Sequence, residues 1–406
     1  MAYQESDTFE ADIYAQKPEE PFLKKPFPVK RKKMTRINKI IENFHPSWFV
    51  ATMSWGAQSY ILTGLPFTEK MLSKSTWVNL RSFLEIFSKI IWAWNFFYWV
   101  VFVIIFTVQF RKHKKSWQDP QKAIFFSCAV IGFSVILLGF SLLFKLPDYS
   151  FYLWWVNVVL AILAIALLNT KLFLASAAKQ NPVTQSTILL PALPSIVAAA
   201  TGASITPTLD SLNWQISTIF TSYFLLGMGY ILALALMTIY LGRLMMYGRP
   251  GAAIGNSVWI LLGPIGHGTN TILQLARHSQ NLPSWTAEIE NFKLTVQGVS
   301  FLIGLLSWGF GIFLVIAAAV CSMSHCKIFG ECNEGLPFNL GYWAIIFPIA
   351  TYTFATFQLT IYTQMTFFVV MSWVIGLSCF YISVFVHIKT FQYIIFKSKK
   401  FWHVFE

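Results

Sequence analysis

The sequence predicts an all-α polytopic membrane protein of ten transmembrane helices, for two reasons. Hydrophobic residues make up 56% of the 406-residue chain and charged residues only 12%, roughly half the charged share of a soluble domain; the mean hydropathy is +0.57. The apolar residues also fall into ten stretches, each close to the ~20 residues that a helix needs to cross a bilayer. A soluble globular fold is therefore excluded.

The ten apolar stretches lie between two polar ends. Residues 1–40, which carry prolines among many Lys and Arg, are expected to form a disordered basic cytosolic tail. Residues 41–390 then form the transmembrane domain, and residues 391–406 a short basic cytosolic tail. The expected spans begin near Phe44, Phe83, Ala123, Phe151, Ser186, Trp214, Ile254, Val296, Leu336 and Thr366.

The first four spans differ in how they begin and end. The first has Pro46 in its first turn, where a missing N–H costs little. The second ends in a basic run that starts at Arg111, and near its beginning Glu85 and Lys89 lie one turn apart, so we expect them to pair. The third and fourth are continuous apolar runs.

Prolines distinguish the odd-numbered spans from the even-numbered ones. Pro191 and Pro194 lie in the fifth span, Pro264 in the seventh and Pro348 in the ninth, while the sixth, eighth and tenth have none. A proline inside a membrane helix frees a carbonyl and bends the axis, so it needs polar or watery neighbours. We therefore predict consecutive helical hairpins in which odd helices, kinked at these prolines, line a central pore and even helices form an outer ring.

The ninth span, LPFNLGYWAIIFPIATYTFATFQ, contains the candidate gate. Phe347 directly precedes Pro348, and Thr351 follows. A large ring at a bend can close a narrow passage, and a change of its rotamer can open it. The alternative is that Phe347 only faces lipid or fills a helix contact, as most of the 39 phenylalanines must.

The net charge of +13 is concentrated before the first span. A juxtamembrane basic run is a topology determinant and a contact for anionic membrane lipid, so no nucleic acid partner is expected. Most Lys and Arg lie on the side of the two termini, which predicts that both termini are cytosolic. Thr35, in RKKMTRIN, is a candidate site for a kinase; the alternative is an ordinary tail threonine.

Few ionisable groups lie within the spans, and this favours anions as the cargo. The odd spans contain no Asp or Glu relay, which argues against a proton-driven pump. A neutral lining with basic residues at its cytosolic mouth suits anions better than cations. His267, deep in the seventh span, either selects an anion or hydrogen-bonds a neighbouring helix. The other candidate lining residues are Ser54, Ser195, Thr269 and Thr351.

Enzyme and metal signatures are missing from the sequence. We find no phosphate loop, nucleophile elbow or paired intramembrane metal ligands, so neither catalysis nor a cofactor is expected. The loop with His325, Cys326, Glu331 and Cys332 resembles no standard zinc site. The chain has five cysteines, an odd number, and no disulfide framework follows from them.

Three motifs resemble the tellurite-resistance/dicarboxylate transporter family, within the voltage-dependent anion channel superfamily. They are HPSWFVATMSWG in the first span, LLGPIGHGTNT in the seventh and GYWAIIFP in the ninth. The family includes bacterial TehA, plant slow anion channels, fungal malate permeases and fungal sulfite efflux pumps. The resemblance implies a quasi-five-fold ring of hairpins with odd helices inside, assembled as a trimer. It also implies that Phe347 is the occluding phenylalanine.

The resemblance favours sulfite as the cargo, because the seventh-span motif is closest to the fungal sulfite pumps. His267 stands where the family pattern has Gln, which leaves the cargo open. One alternative is a malate or four-carbon dicarboxylate transporter, proton-linked through His267, and another is a receptor or scaffold without transport. The plasma membrane of a single-celled eukaryote is the location that the resemblance implies.

Overall fold

The computed structural model describes residues 38, 41–42, 44–66, 74–113, 115–175, 185–279, 291–325 and 338–396. The chain divides into two compact units, Met1–Ile40 and Ile41–Glu406, and the helices below belong to the second. The expected kinase site at Thr35 and the metal-loop residues Cys326, Glu331 and Cys332 lie outside the described residues.

The described part of the second unit consists of ten long α-helices with short connections and no strand. The long helices are α1 Phe49–Gly64, α2 Lys74–His113, α3 Phe126–Leu142, α4 Pro147–Phe173, α5 Leu193–Ile205, α6 Leu212–Tyr247, α7 Leu262–His278, α8 Phe292–Met323, α9 Trp343–Thr363 and α10 Thr366–Phe396. Short α-helices cover Lys115–Gln118 and Pro120–Ala123. Short 3-10 helices cover Pro46–Trp48, Ser186–Ala192, Thr206–Thr208, Ala252–Leu261 and Leu340–Tyr342.

The five odd-numbered helices form a closed ring of contacts. α1 packs against α3, α3 against α5, α5 against α7, α7 against α9, and α9 against α1. Each odd helix also contacts the even helix that follows it. In the most apolar window of each span, 89% of the fifth and 78% of the ninth are buried, against 17% of the second and 28% of the eighth. The predicted fold of hairpins, with odd helices inside, is confirmed.

Eight helical segments of the described chain are long and apolar enough to cross a membrane, which supports an integral membrane protein. The two ring helices outside this group are α1 and α7, with 16 and 17 residues. α7 includes His267, Asn270 and Gln274, whose polar side chains lower its hydropathy. A ring helix surrounded by protein can carry such groups, whereas a helix exposed to lipid cannot.

The sequence predicted spans of similar length, but the ring helices are short and most outer ones long. α2 has 40 residues and α6 has 36, because helical hydrogen bonding continues past the apolar stretch into polar sequence. α5 has only 13 residues. Four ring helices, α1, α5, α7 and α9, directly follow a 3-10 helix, so part of each expected span has 3-10 geometry.

Some of these 3-10 segments contain a proline. Most of the prolines expected to kink the middle of a helix instead lie at or before its start. Pro46 opens its 3-10 helix, with the His45 side chain accepting a hydrogen bond from the Ser47 N–H. Pro191 lies inside a 3-10 helix, Pro194 in the first turn of α5, and Pro264 is the third residue of α7. An N–H is dispensable in a first turn. Of the four expected kinks, Pro348 alone lies beyond the first turn of an α-helix, α9.

Candidate functional site

The closest approach in the ring, between α7 and α9, brings His267 against Phe347. A Cβ atom on Gly266 would lie 2.6 Å from the backbone carbon of Thr351, so only glycine fits. The imidazole of His267 then faces the ring of Phe347, with ring centroids 5.3 Å apart and planes at 45°. Phe347 is 1% exposed. A glycine in LLGPIGHG therefore positions the two candidate residues that the sequence singled out.

Two cavities lie along the ring, one at each end of its helices. The N-side cavity, of about 690 Å³, is lined by residues that precede or begin the odd-numbered helices. The C-side cavity, of about 340 Å³, is lined by residues near the ends of the same helices. N-side lining residues include Ser47, Phe125, Leu190, Asn256 and Asn339. C-side lining residues include Gly64, Leu142, Ser204, Gln274 and Gln358.

Phe347 is the residue that the two linings have in common. Its side chain is buried between the cavities, at the fifth position of α9 and directly before Pro348. Pro348 lines the N-side cavity and His267 the C-side cavity. A path along the ring therefore meets an apolar side chain between two chambers, and apolar constrictions of this kind close pores by excluding water.

His267 is a buried polar group without a protein partner. It is 6% exposed, and within the described residues neither Nδ1 nor Nε2 has a hydrogen bond. Leaving a buried donor or acceptor unpaired costs about 1–3 kcal/mol. Because the ring lines the C-side cavity, a polar ligand or water there can satisfy it. The expected alternative, a hydrogen bond to a neighbouring helix, is not formed with any helix that the structure describes.

Other polar groups of the C-side cavity are held by one another. Asn270 and Gln274 follow His267 at one-turn spacing on α7, and Gln274 Nε2 donates to Asn270 Oδ1 at 2.8 Å. Ser204 Oγ donates to Gln274 Oε1 at 2.9 Å. Gln358 Oε1 is buried and has no partner among the described residues. The sequence carried a signal for part of this set, because the helical period links Asn270 and Gln274 to His267.

Fixed charge is confined to one of the two cavities. Arg81 and Lys145 line the C-side cavity, whereas the N-side lining contains no Lys, Arg, Asp or Glu among the described residues. The basic run expected at the cytosolic mouth precedes the first span and lies outside the described residues, so that expectation stays a prediction. The expected Glu85–Lys89 pair is also wrong, since Glu85 Oε1 pairs with Arg81 Nε at 3.3 Å.

The small hydroxyl residues proposed as lining contact other helix groups instead. Ser54 Oγ donates to Trp343 O at 2.8 Å and so joins α1 to α9. Thr351 Oγ1 donates to Pro348 O at 2.7 Å, and Ser195 Oγ to Ala192 O at 3.0 Å. Thr269 is fully buried without a partner among the described residues. None of the four lines either cavity, because hydroxyls in apolar helices readily bond backbone carbonyls.

The described residues contain no group of three or more His, Cys, Asp or Glu that could hold a metal ion. His325, from the loop considered above, has its Nε2 3.0 Å from the carbonyl oxygen of Pro250. Cys128, Cys321 and Cys379 are free thiols.

Comparison with known proteins is consistent with this architecture. The chain is 26% identical to the sulfite efflux pump SSU1 of Arthroderma otae, over 79% of this chain and 82% of that protein. It is 24% identical to an uncharacterized transporter of Methanocaldococcus jannaschii, over 78% and 84%. The sulfite efflux pump SSU1 of Candida albicans is 23% identical, over 78% of this chain and 66% of that protein.

A family model matches nearly the whole helical part of the chain. The family is described as voltage-dependent anion channel, and the match covers residues 43–391. This range begins before α1 and ends within α10, so it includes the complete ring, Phe347 and the lining of both cavities except Tyr393. The expected family is confirmed: the chain belongs to the voltage-dependent anion channel family and is an anion transporter.

Proposed function

We propose that the protein exports sulfite or a closely related small inorganic anion, and that Phe347 gates the passage. The cargo is suggested by relatives named sulfite efflux pumps, which align over most of this chain. The gate is supported by one observation above the rest, that Phe347 is shared by the linings of two cavities at opposite ends of the ring.

In this proposal the anion crosses by diffusion between the two cavities whenever the Phe347 ring rotates away. Pro348 follows the ring directly and lines the N-side cavity, so α9 lacks one backbone hydrogen bond beside the gate. The missing bond makes a local change of the helix less costly. The described lining contains no Asp or Glu, so no carboxylate repels the anion or couples it to protons.

The test is anion flux into liposomes that contain the purified protein. Sulfite, nitrate, chloride and malate are compared with and without an imposed proton gradient. We expect sulfite and other small inorganic anions to cross at rates that do not depend on the gradient. Sulfite flux no greater than that of protein-free liposomes, for both the wild type and Phe347→Ala, would contradict the proposed function.

The second candidate function is proton-linked transport of malate or another four-carbon dicarboxylate. The observation that favours it is the unpartnered His267 in the C-side cavity, which is a titratable group on the path. Malate uptake that requires the proton gradient and is lost in His267→Gln would support it. Malate uptake that persists in that variant with the same pH dependence would exclude His267 as the coupling group.

Location and assembly are also proposals. We propose that both termini are cytosolic, so that the N-side cavity opens to the cytosol, and that the protein resides in the plasma membrane as a homotrimer. The Lys and Arg distribution supports the orientation. Thr35 phosphorylation and lipid contact of the basic tail are further proposals. Protease protection of tagged termini and the mass of the detergent-solubilised protein test orientation and assembly.

A further inference from the structure

The C-side cavity has the composition of a ligand site as well as of a passage. Its volume of about 340 Å³ accommodates a small oxyanion with several water molecules. The imidazole of His267 lines this cavity and is only 6% exposed. Neither of its nitrogens has a hydrogen-bond partner among the described residues. An N–H of this ring can donate to an oxyanion at the deep end of the cavity, beside Phe347.

The same cavity carries the fixed positive charge of the passage. Arg81 and Lys145 line it. Arg81 is partly neutralised by its pairing with Glu85, whereas Lys145 forms no salt bridge within the described residues. In the part of the chain that the structure describes, the lining of the N-side cavity includes His45 but no Lys, Arg, Asp or Glu. The two ends of the passage therefore differ in their attraction for anions.

The backbone at Lys145 makes this charge accessible to a clean test by substitution. Lys145 has φ of 59°, in the left-handed region where glycine or asparagine is usual after a helix. It follows α3, where Phe144 N–H donates to Gly139 O and Leu146 N–H to Phe140 O. Glycine would satisfy this turn with less strain. Lys145→Gly therefore removes the charge at a position where the backbone favours glycine.

We propose that the C-side cavity is a one-sided capture site for small oxyanions, in which Lys145 and Arg81 attract the anion and His267 binds it. The site rests on the proposed function, since it lies on the anion passage. It makes the passage asymmetric: the described lining has no Lys or Arg on the N-side of Phe347, and the chamber on the C-side concentrates anions. The oxyanion concentration that half-saturates flux is then lower from the C-side than from the N-side.

The experiment measures sulfite flux from each side separately. Proteoliposomes are sorted by orientation with a tag on one terminus, and the half-saturating sulfite concentration is determined for each face. We expect Lys145→Gly to raise this concentration roughly threefold from the C-side at low salt and to leave the N-side value unchanged. Arg81→Gln should act in the same direction, more weakly because Glu85 already offsets its charge. High salt should abolish both effects.

Two controls separate lost charge from lost structure. Lys293, at the start of α8 on the same side of the ring, lines neither cavity, so Lys293→Gln should not change either value. Lys145→Gly should unfold at the same temperature as the wild type or higher, because glycine relieves the left-handed backbone. Equal half-saturation from the C-side in wild type and Lys145→Gly, at low salt, would overturn the capture site.

This outcome is distinct from failure of the proposed function. If Phe347→Ala conducts sulfite freely while Lys145→Gly retains wild-type half-saturation, the passage stands and the capture site is wrong. If no variant conducts, thermal unfolding of the detergent-solubilised protein is measured across a sulfite series. If sulfite stabilises the wild type more than Lys145→Gly at low salt, the capture site is supported without the passage. If sulfite stabilises both proteins equally, the capture site is overturned.

Discussion

The ring helices and the outer helices differ in their length and in how much of their apolar surface is buried. α5 has 13 residues, follows a 3-10 helix and lies in a span that is 89% buried over its most apolar window. α2 has 40 residues, and only 17% of its most apolar window is buried. Burial is thus concentrated in the ring. The outer helices screen the ring from lipid, and substitutions should have different effects in the two regions.

The largest difference in stability should come from glycines. Gly266→Val on α7 forces a side chain into the backbone of α9, where even a Cβ would lie 2.6 Å from Thr351. We expect destabilisation of about 3 kcal/mol or failure to assemble. Gly309→Ala on α8, where a Cβ meets nothing within 4 Å, should instead stabilise by about 0.5–1 kcal/mol. Thermal unfolding in detergent measures both, and equal effects would remove the contrast.

The largest difference in transport should come from phenylalanines. Phe347→Ala opens the boundary between the two cavities, and we expect sulfite flux to rise by about tenfold, as from a barrier lowered by ~1.4 kcal/mol. Phe313→Ala on α8, where the side chain is 49% exposed on the outer ring, should leave flux unchanged. Rates are compared in liposomes with equal amounts of folded protein. Unchanged flux in Phe347→Ala would refute the gate.

His267 should affect affinity more than rate. His267→Leu removes a donor from the C-side cavity, and we expect the half-saturating sulfite concentration to rise by roughly tenfold, the size of one hydrogen bond to an ion. His267→Gln restores a donor of similar reach and should recover most of this loss. The two variants are measured in the same flux assay. If both proteins are folded and His267→Gln shows the same high half-saturating concentration as His267→Leu, the shape of the histidine rather than its hydrogen bonding sets the affinity.

The smallest effect should follow from a hydroxyl that joins two ring helices. Ser54→Ala removes the bond to Trp343 O and should cost about 1 kcal/mol of stability, with no change in sulfite flux. Ser82→Ala on the outer α2, which removes an exposed bond to Val78 O, should cost less. A change of anion selectivity in Ser54→Ala would contradict this and indicate that Ser54 lines the passage.

The fold could be predicted from the sequence further than the site could. Apolar length marks a span, and prolines such as Pro191 and Pro348 mark four of the five ring helices, although α3 has none. Phe347 and His267 could be found because their motif places them beside Pro348 and between two glycines. Arg81 and Lys145 could not, since a charge near the end of a span looks the same whether it faces solvent or a cavity. Ser54 and Thr351 were misplaced for a related reason, because sequence does not tell which face of a buried helix a hydroxyl occupies.

The 3-10 segments that precede four of the ring helices are longer than α-helices of the same number of residues. A 3-10 helix rises ~2.0 Å per residue and an α-helix 1.5 Å. The segment Ala252–Leu261, of 10 residues, would therefore shorten by about 5 Å if it changed to α-helical geometry. That distance is close to one helical turn. A change of winding in this segment would therefore require α7 to shift along its axis, and the close packing of Gly266 against the backbone of Thr351 opposes that shift.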